Sequence, residues 1–508
     1  MIEEDFCNHF MPLLIKKIIF LDKQQMFDIA IVGLGATGVS LLSQIQDEVY
    51  NLNITKPNIA VFNPSSSFAI GKAFGDADHL HKMNTPPWMM SVSGMEPNKF
   101  KYWLNSLIIQ EEQWPARLQY SQFIRQTYDD IIQSGVLNID EYYCNVTTII
   151  KNKEGFILTD EEGNTITTRK VVMCLGAQSA DLFPEFYKKL GFIRHYSQFD
   201  QNAETALIIA GSSLTAIDAF RFAWTKGRGN IHLYSRNGYA PTCLTKENRY
   251  TPIYLHWRNI VAASKNSGNV LNTFTHLLRK EYNALGRHNE YNTAMKLLRT
   301  GKQQEYFSYL LNRSEGADLP WQDVLVSTRP YMHKLWNAMT IHQRQQFIKQ
   351  YGAFWASWRH PIPQEVFLEL IYASTDGRLK FHQSTSVPQY NRGQFMLQTS
   401  QEIILAPRFW DGTGGSQDIN KINVPILQNL LEKKLIEAHP CGGINVDPMT
   451  YQCQVAGKSI HGLYNLGPLN KGALFSTNAF WFNSRCAENW AKQWALECNI
   501  NNKIMESL

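Results

Sequence analysis

Three glycines between residues 33 and 38 have the spacing of a phosphate-binding turn. They occur in FDIAIVGLGATGVSLLSQI, residues 27–45, between an apolar run of strand length and apolar residues at helical spacing. Gly33 would permit a tight turn, Gly35 would let a pyrophosphate approach the backbone, and Gly38 would let the helix pack closely on the sheet. A purely structural turn is the alternative. The predicted contact residues are Gly33, Leu34, Gly35, Ala36, Thr37 and Gly38.

The next apolar run, NIAVFN at residues 58–63, is predicted to be the neighbouring strand of the same sheet. In a dinucleotide site the end of this strand usually carries an acidic residue for the ribose hydroxyls. This chain has Asn63 at that point. Because an amide can also hydrogen-bond a hydroxyl, Asn63 is retained as a predicted ribose contact.

A second segment, ETALIIAGSSLTAIDAFRFAW at residues 204–224, again joins an apolar strand to a helix through small residues. Of the three glycines only Gly211 is present, followed by Ser212 and Ser213. The pattern predicts either a degenerate nucleotide turn at these three residues or a plain structural connection.

Charge and cysteine usage exclude several classes of protein. The net charge is only +5 over 508 residues, without a lysine or arginine cluster, so no nucleic-acid partner is expected. None of the eight cysteines forms a CxxC pair, which argues against a dithiol redox centre and a zinc knuckle, and no metal site is predicted. Scattered thiols favour a reducing cytoplasm. The apolar segment at residues 10–21 contains two lysines and is too short to span a bilayer, so no membrane association is expected.

The remaining chain predicts three further units. Residues 146–176 alternate as strands broken by KEG and EEGN, which indicates an antiparallel meander returning to the first sheet. Residues 250–375 have helical periodicity and predict a helical insertion. Residues 462–495 predict a glycine-rich loop opening a final amphipathic helix. Residues 1–25 would be either a short N-terminal extension or the result of a misassigned start codon.

Six motifs, in order, resemble a bacterial FAD-NAD(P)-binding flavoprotein family related to flavin-dependent N-hydroxylases. The resemblance spans most of residues 27–495. It implies an α/β fold with two Rossmann-like dinucleotide-binding domains and a largely helical insertion. The motifs are VGLGATGVSLL, GKAFGDADHLHKMNTPPWMMS, LIIAGSSLTAID, WQDVLVSTRPYMHKLWNAM, FWASWRHPIP and LYNLGPLNKGALF.

The resemblance implies a domain order and a set of cofactor contacts. Residues 26–203 and 406–508 would form the FAD domain, residues 204–249 and 376–405 the NAD(P)-like domain, and residues 250–375 the insertion. The helix after Ser476 would direct its positive end at the pyrimidine ring of the flavin. The alternative for MNTPP is an ordinary proline turn. The implied FAD contacts are Met83, Asn84 and Thr85 beside Lys82, with Gly176, Gly414, Gly467 and Gly472.

The second turn would then bind NADPH or NADH. Arg236 follows the strand IHLY at the position where a guanidinium could pair with a 2′-phosphate, unless it is a solvated surface charge. His195 lies in GFIRHYSQF, which loosely resembles an element of flavin monooxygenases, but a lone histidine is more typical of a linker.

The implied function is an FAD-dependent, NAD(P)H-using monooxygenase that hydroxylates an amine or a related small molecule. The alternatives are a substrate-oxidising flavin oxidase or dehydrogenase, and a non-catalytic FAD-binding scaffold. No catalytic side chain is identified. A tryptophan-rich stretch of the insertion would either wall the substrate pocket or form core. Its residues are Trp321, Trp336, Trp355, Trp358, Arg359 and His360.

Overall fold

The computed structural model describes residues 26–107, 114–244, 250–287, 289–315 and 321–506. The predicted extension at residues 1–25 lies outside these ranges. The strands are β1 (Phe27–Val32), β2 (Asn58–Phe62), β3 (Asn138–Tyr142), β4 (Val146–Lys151), β5 (Phe156–Asp160), β6 (Thr165–Met173), β7 (Phe192–Ile193), β8 (Leu207–Ala210), β9 (Ile231–Ser235), β10 (Leu379–Gln383), β11 (Gln389–Asn391), β12 (Gln394–Gln398), β13 (Ile403–Ala406), β14 (Arg408–Asp411), β15 (Gln452–Val455) and β16 (Lys458–Asn465).

The helices surround and connect these strands. No helix in the described ranges is long and apolar enough to cross a bilayer. The helices are α1 (Ala36–Leu52), α2 (Lys72–Gly75), α3 (Lys99–Ser106), α4 (Arg117–Ser134), α5 (Leu214–Lys226), α6 (Trp257–Ser267), α7 (Val270–Ala284), α8 (Glu290–Arg299), α9 (Gln303–Glu315), α10 (Trp321–Val326), α11 (Met332–Ala338), α12 (Ile341–Trp358), α13 (Gln364–Thr375), α14 (Pro425–Glu432), α15 (Lys471–Leu474) and α16 (Phe480–Glu506).

The first sheet has the order β15-β16-β6-β1-β2-β3, and β16, β6, β1, β2 and β3 run parallel. β4 and β5 extend it as an antiparallel hairpin on the first half of β6. The predicted meander and its return to the first sheet are therefore confirmed. Strand β1 is apolar almost throughout because helices cover both faces of a parallel sheet.

The second sheet has the order β10-β9-β8-β14-β7 and is parallel throughout. A separate antiparallel sheet, β11-β12-β13, lies between β10 and β14 in sequence. The two parallel sheets establish the predicted α/β fold with two Rossmann-like units. The strand pairing assigns β7 and β14 to the second sheet, although the sequence analysis grouped both with the FAD domain. The predicted domain boundaries otherwise remain predictions.

Helices α6 to α13 form the predicted helical insertion between β9 and β10. Its apolar residues share one core cluster with β8, β9 and α5, so the insertion is built onto the second sheet. The first sheet has its own cluster, which includes residues of α1, α14 and α16. Each parallel sheet thus has a separate core.

Candidate functional site

The first glycine turn joins β1 to α1, as predicted. Gly33 has a φ of +100°, and a Cβ there would stand 2.4 Å from the carbonyl oxygen of Cys174. A Cβ on Gly38 would stand 2.4 Å from the carbonyl oxygen of Gly33. These two glycines are required by packing alone. Gly35, the N-cap of α1, has an ordinary φ of −91°, so its backbone does not require glycine.

Asn63 supports this turn from the end of β2. Its Oδ1 accepts the N–H of Leu34 at 3.1 Å, and its Nδ2 donates to Ser67 Oγ at 3.0 Å. The side chain is 9% exposed. The carboxamide therefore positions the glycine turn, and the predicted ribose contact would compete with these bonds.

The second turn, between β8 and α5, repeats the backbone of the first. Gly211 has a φ of +110°, and a Cβ there would stand 2.6 Å from the carbonyl oxygen of Gly412. Ser213 is the N-cap of α5 with a φ of −93°, as Gly35 is for α1. Ala216 then occupies the third glycine position, where alanine is common in dinucleotide turns. The turn therefore departs from the pattern only at Ser213, a closer match than the sequence analysis recognised.

Ser213 is exposed, and its hydroxyl has no hydrogen-bond partner within the described ranges. Ser212, by contrast, is buried. A free hydroxyl at the N-terminus of a 13-residue helix can donate to a phosphate oxygen. Ser213 can therefore replace the missing glycine by bonding the ligand.

Arg236 follows β9 and its side chain is exposed. A cavity of about 590 Å³ lies along β10, and its lining includes Asn237, directly after Arg236. Its charged lining residues include Arg299, Lys380 and Glu402, whereas Arg236 itself is not among the lining residues.

One segment connects the two turns. Gly414, just after β14, lies beside the second turn, because a Cβ there would stand 3.0 Å from Thr215 Oγ1. The adjacent Gly415 approaches Ala177, next to Gly176 at the end of the first sheet. Gly176 has a φ of +71° and open space around its Cβ position. Gly176 and Gly414 thus lie in the two segments that meet between the first and second units.

Two loops border the first turn. Gly467 has a φ of +108°, and its Cβ position faces Thr37 Oγ1 at 3.7 Å. Asn84 and Thr85 keep accessible surface, whereas the side chain of Met83 is buried in a core cluster with Phe480. The predicted helix after Ser476 begins at Phe480.

Buried polar atoms near the start of α16 have no partner among the described residues. They are Ser476 Oγ and Asn483 Oδ1. Both lie beside the predicted pyrimidine end of the flavin, which offers donors and acceptors. These unpartnered atoms and the open position at Gly176 fit FAD.

Gly472 has a packing role, and its approach to flavin stays a prediction. A Cβ there would stand 2.2 Å from the carbonyl oxygen of Gly442. Its own carbonyl oxygen accepts Trp336 Nε1 at 2.8 Å. Gly472 is buried and connects the first unit to α11 of the insertion.

The expectation of a tryptophan-lined pocket is not met by the rings that the structure describes. Trp336, Trp355 and Trp358 are at most 4% exposed and belong to the core of the insertion. The side chain of Trp321 lies outside the described part of the chain. Their size and apolarity make burial the stronger driving force, which favours the alternative that the sequence left open. His195 is exposed in the linker.

A buried charged cluster at the junction of the units was missed. Arg117 Nη1 lies 2.5 Å from Asp218 Oδ2 of α5, and Arg221 pairs in a bidentate manner with Glu369 of α13 at 2.6 Å. His81 is 1% exposed beside this cluster, and burial lowers its pKa. His81 and Asp218 lie within two of the quoted motifs, but no motif relates them to Arg117, Arg221 or Glu369, so only the fold brings these residues together.

Comparison with known proteins agrees with this architecture. A family model described as FAD-NAD(P)-binding matches residues 30–178, which include the whole first turn. The resemblance to that family is therefore confirmed over this range, and its description names both predicted cofactors. None of the curated proteins matches the chain significantly in sequence.

Solved structures with the same fold cover nearly the whole chain. An ornithine hydroxylase from Pseudomonas aeruginosa has a TM-score of 0.57 at 10% identity, covering 93% of this chain and 99% of its own. A flavin monooxygenase mutant from Stenotrophomonas maltophilia has a TM-score of 0.51 at 12% identity, with coverages of 93% and 99%. A bacillithiol disulfide reductase from Bacillus cereus has a TM-score of 0.50 at 10% identity, with coverages of 93% and 100%. At these identities the likeness concerns the fold.

Proposed function

We propose that the chain is an FAD-dependent, NAD(P)H-using monooxygenase that hydroxylates an amine or a related small molecule. The observation that carries the proposal is the pair of turns with one backbone conformation, each at the end of a central strand of its own parallel sheet. Two such turns provide two dinucleotide sites in one chain. The similarity in fold to a hydroxylase and a flavin monooxygenase supports the proposal that the reduced flavin reacts with oxygen.

Residues of the first unit would hold FAD. The turn at Gly33–Gly38 would receive the pyrophosphate, and the polar atoms of Ser476 and Asn483 would meet the pyrimidine edge. When bound, FAD supplies the hydride and oxygen chemistry of the reaction. The protein contributes binding, orientation and exclusion of water.

Residues of the second unit would hold the nicotinamide cofactor. Ser213 would donate its hydroxyl to the pyrophosphate, and Arg236 would pair with a 2′-phosphate. On α5, Asp218 pairs with Arg117 and Arg221 pairs with Glu369, and each pair joins one buried and one partly exposed side chain, which reduces screening by salt in part. The Arg117–Asp218 pair would hold the two cofactor sites in a defined relation, whereas Arg221–Glu369 fixes the insertion to α5.

Anaerobic reduction tests the proposal. NADPH added to the FAD-loaded protein without oxygen should bleach the flavin band, and NADH should do so more slowly. Oxygen is then admitted together with a panel of primary amines. An amine that couples NADPH consumption to a hydroxylated product supports the proposal. The monooxygenase assignment would be contradicted if NADPH bleached the flavin rapidly and, with every amine, all the NADPH consumed after oxygen is admitted were recovered as hydrogen peroxide.

Ser213 supports one alternative, a flavin oxidase or dehydrogenase reduced by its own substrate. If Ser213 blocks the pyrophosphate, neither nicotinamide nucleotide should bleach the flavin, whereas the substrate alone should do so. A protein that binds FAD but is bleached by neither would serve as a scaffold.

We also propose a bacterial, cytoplasmic setting. The seven cysteines of the described ranges are all free thiols, as expected in a reducing compartment.

A further inference from the structure

Strand β13 forms one edge of the separate antiparallel sheet, β11-β12-β13. The N–H of Thr399 donates to the carbonyl oxygen of Glu402 at 2.9 Å, so this pair closes the hairpin between β12 and β13. Counted from this pair, hydrogen-bonded and non-hydrogen-bonded positions alternate along the two strands. The backbone groups of Ile403 and Leu405 therefore point away from β12, and they have no partner within the described ranges.

The side chains of the same two residues are exposed. Ile403 is 56% exposed and Leu405 is 53% exposed, on the outer face of the sheet. Ile404 and Ala406 point to the other face and are buried against the second sheet. Met396 of β12 lies directly beside Leu405 and keeps accessible surface. Unpaired backbone groups and an apolar stripe thus coincide on one edge.

Edge strands promote association, and proteins usually protect them with charges, bulges, short length or covering groups. The other edge strands in the described part of the chain have such protection. Strand β3 contains Asp140 and Glu141, β4 donates its Ile149 N–H to Asn429 Oδ1, β7 has two residues, β10 has its Phe381 carbonyl oxygen covered by Gln303 Nε2, β11 has three residues, and β15 has a register irregularity. Strand β13 is Ile-Ile-Leu-Ala and contains neither a charge nor a proline.

We propose that β13 pairs with β13 of a second copy of this chain, antiparallel and about a two-fold axis. With Ile404 on the axis, Ile403 of each copy lies opposite Leu405 of the other. Each such pair exchanges two hydrogen bonds, so the pairing uses all the outward N–H and C=O groups of these two residues. A shift of register would instead place Ile403 opposite itself and Leu405 opposite Gln401 of the turn.

The edge is complementary to itself in charge and in polarity. Glu402 of one copy would lie opposite Ala406 of the other, so the two carboxylates do not meet. On the outer face, Ile403 and Leu405 of both copies would form one apolar stripe, with Met396 beside it on each side. A second copy therefore satisfies the backbone groups and covers the exposed side chains at the same time.

This pairing goes beyond the proposed function and does not depend on it. None of the predicted cofactor contacts lies in β11, β12 or β13. The oligomeric state of the full chain can therefore be measured whether or not the protein is an active monooxygenase.

Sedimentation velocity over a dilution series tests the pairing. The wild-type chain should sediment as a dimer that dissociates on dilution. Ile403→Lys would place a charge in the apolar stripe, and Leu405→Pro would remove an outward N–H at an edge position, where proline is tolerated. Because a two-fold dimer contains each change twice, either variant should raise the dimer dissociation constant about tenfold or more.

A matched variant and a stability measurement serve as controls. Tyr372 on α13 is also an exposed large side chain, at 63%, so Tyr372→Lys should leave the dimer dissociation constant unchanged. Urea unfolding checks that each variant is folded. If Leu405→Pro does not fold, Ile403→Lys decides the result alone, because its side chain is exposed in the single chain.

Cysteine cross-linking tests the register. Residues of a hydrogen-bonded antiparallel pair have Cα atoms about 5.5 Å apart, within the range of a disulfide, whereas diagonal neighbours are about 7–8 Å apart. A mixture of Ile403→Cys and Leu405→Cys chains should therefore oxidise to a covalent heterodimer, and neither variant alone should form a covalent dimer. Mass spectrometry of the digested dimer locates the bond between positions 403 and 405.

Two sets of results would overturn the proposal. A wild-type chain that is monomeric at every concentration would do so, as would a dimer that Ile403→Lys leaves intact, since that dimer must form through another surface. Cross-linking in a single-variant sample at the yield of the mixture, or none in the mixture, would exclude the proposed register. Loss of the dimer in the variants, with cross-linking confined to the mixture, would support the pairing.

Discussion

Replacement of Gly35 by alanine separates cofactor binding from folding. Its φ of −91° suits alanine, and the added Cβ would stand 3.2 Å from the Cα of Gly71. A shift of a few tenths of an ångström in the loop at residue 71 would relieve this contact. A lower entropy of the unfolded chain, about 0.4–1 kcal/mol, offsets part of the cost. The free energy of unfolding of the apo-protein should therefore change by less than about 1 kcal/mol.

The effect on FAD should be larger. A methyl group at the point of closest approach would displace the pyrophosphate and remove at least one charge-assisted hydrogen bond, about 1.5–3 kcal/mol. The dissociation constant should rise about ten- to a hundredfold. Quenching of flavin fluorescence during titration of the apo-protein measures this constant, and urea unfolding measures stability.

Two matched glycine changes serve as controls. A Cβ on Gly38 would stand 2.4 Å from a backbone oxygen, so Gly38→Ala should lower both stability and FAD affinity. Gly352→Ala, within α12, meets only Ile348 Cγ2 at 3.7 Å and should change neither by much. A Gly35→Ala protein that binds FAD as tightly as the wild type would refute the assignment of this turn to the pyrophosphate.

Three further predictions follow from the second unit and from a buried histidine. Ser213→Ala should weaken NADPH binding about three- to tenfold if the hydroxyl bonds a phosphate; tighter binding, seen by calorimetry, would show instead that the side chain is an obstruction. Arg236→Ala should reduce the preference for NADPH over NADH in anaerobic flavin reduction about ten- to a hundredfold, and unchanged rates with both would make it a surface charge. Burial lowers the pKa of His333 from 6.5 to about 4. As the pH falls below 6.5, the unfolded chain therefore takes up a proton before the folded protein does. The free energy of unfolding should then fall between pH 6.5 and pH 4, by about 1.4 kcal/mol per pH unit. Urea midpoints between pH 7 and pH 5 measure this loss; His333→Gln should flatten the slope, and an identical slope in that variant would count against the assignment.

Local patterns predicted the parts of the fold that depend on neighbouring residues. The run from Phe27 to Gly38 contains a strand, a turn and a helix start, so both its structure and its orientation in the sheet could be anticipated. The role of Asn63 could not, because its bonds to Leu34 and Ser67 depend on how β1 and β2 are paired. The equivalence of Ser213 with Gly35 likewise could not be predicted, because it depends on the backbone conformation at the two helix starts.

Long-range contacts account for the remaining differences. The short strand β14 is preceded by three antiparallel strands, and nothing in its own residues shows that it returns to pair with β8. The motif predicted that Gly472 lies at the flavin, but the close approach of Gly442 could not be read from the motif. The burial of Arg359, which is 3% exposed, likewise depends on the packing of the insertion, which no single segment of sequence encodes.

The order of strands in the first sheet has a consequence for biosynthesis. Strand β6 pairs on one side with β1 and on the other with β16, which ends at Asn465. Helix α16, which packs against α1, is translated later still. While the ribosome is producing the second sheet and the insertion, the turn at Gly33 therefore faces an incomplete sheet, and we expect capture of the flavin only after β16 and α16 have emerged. A nascent chain arrested before residue 458 should fail to retain FAD even though every glycine of the turn has already been made.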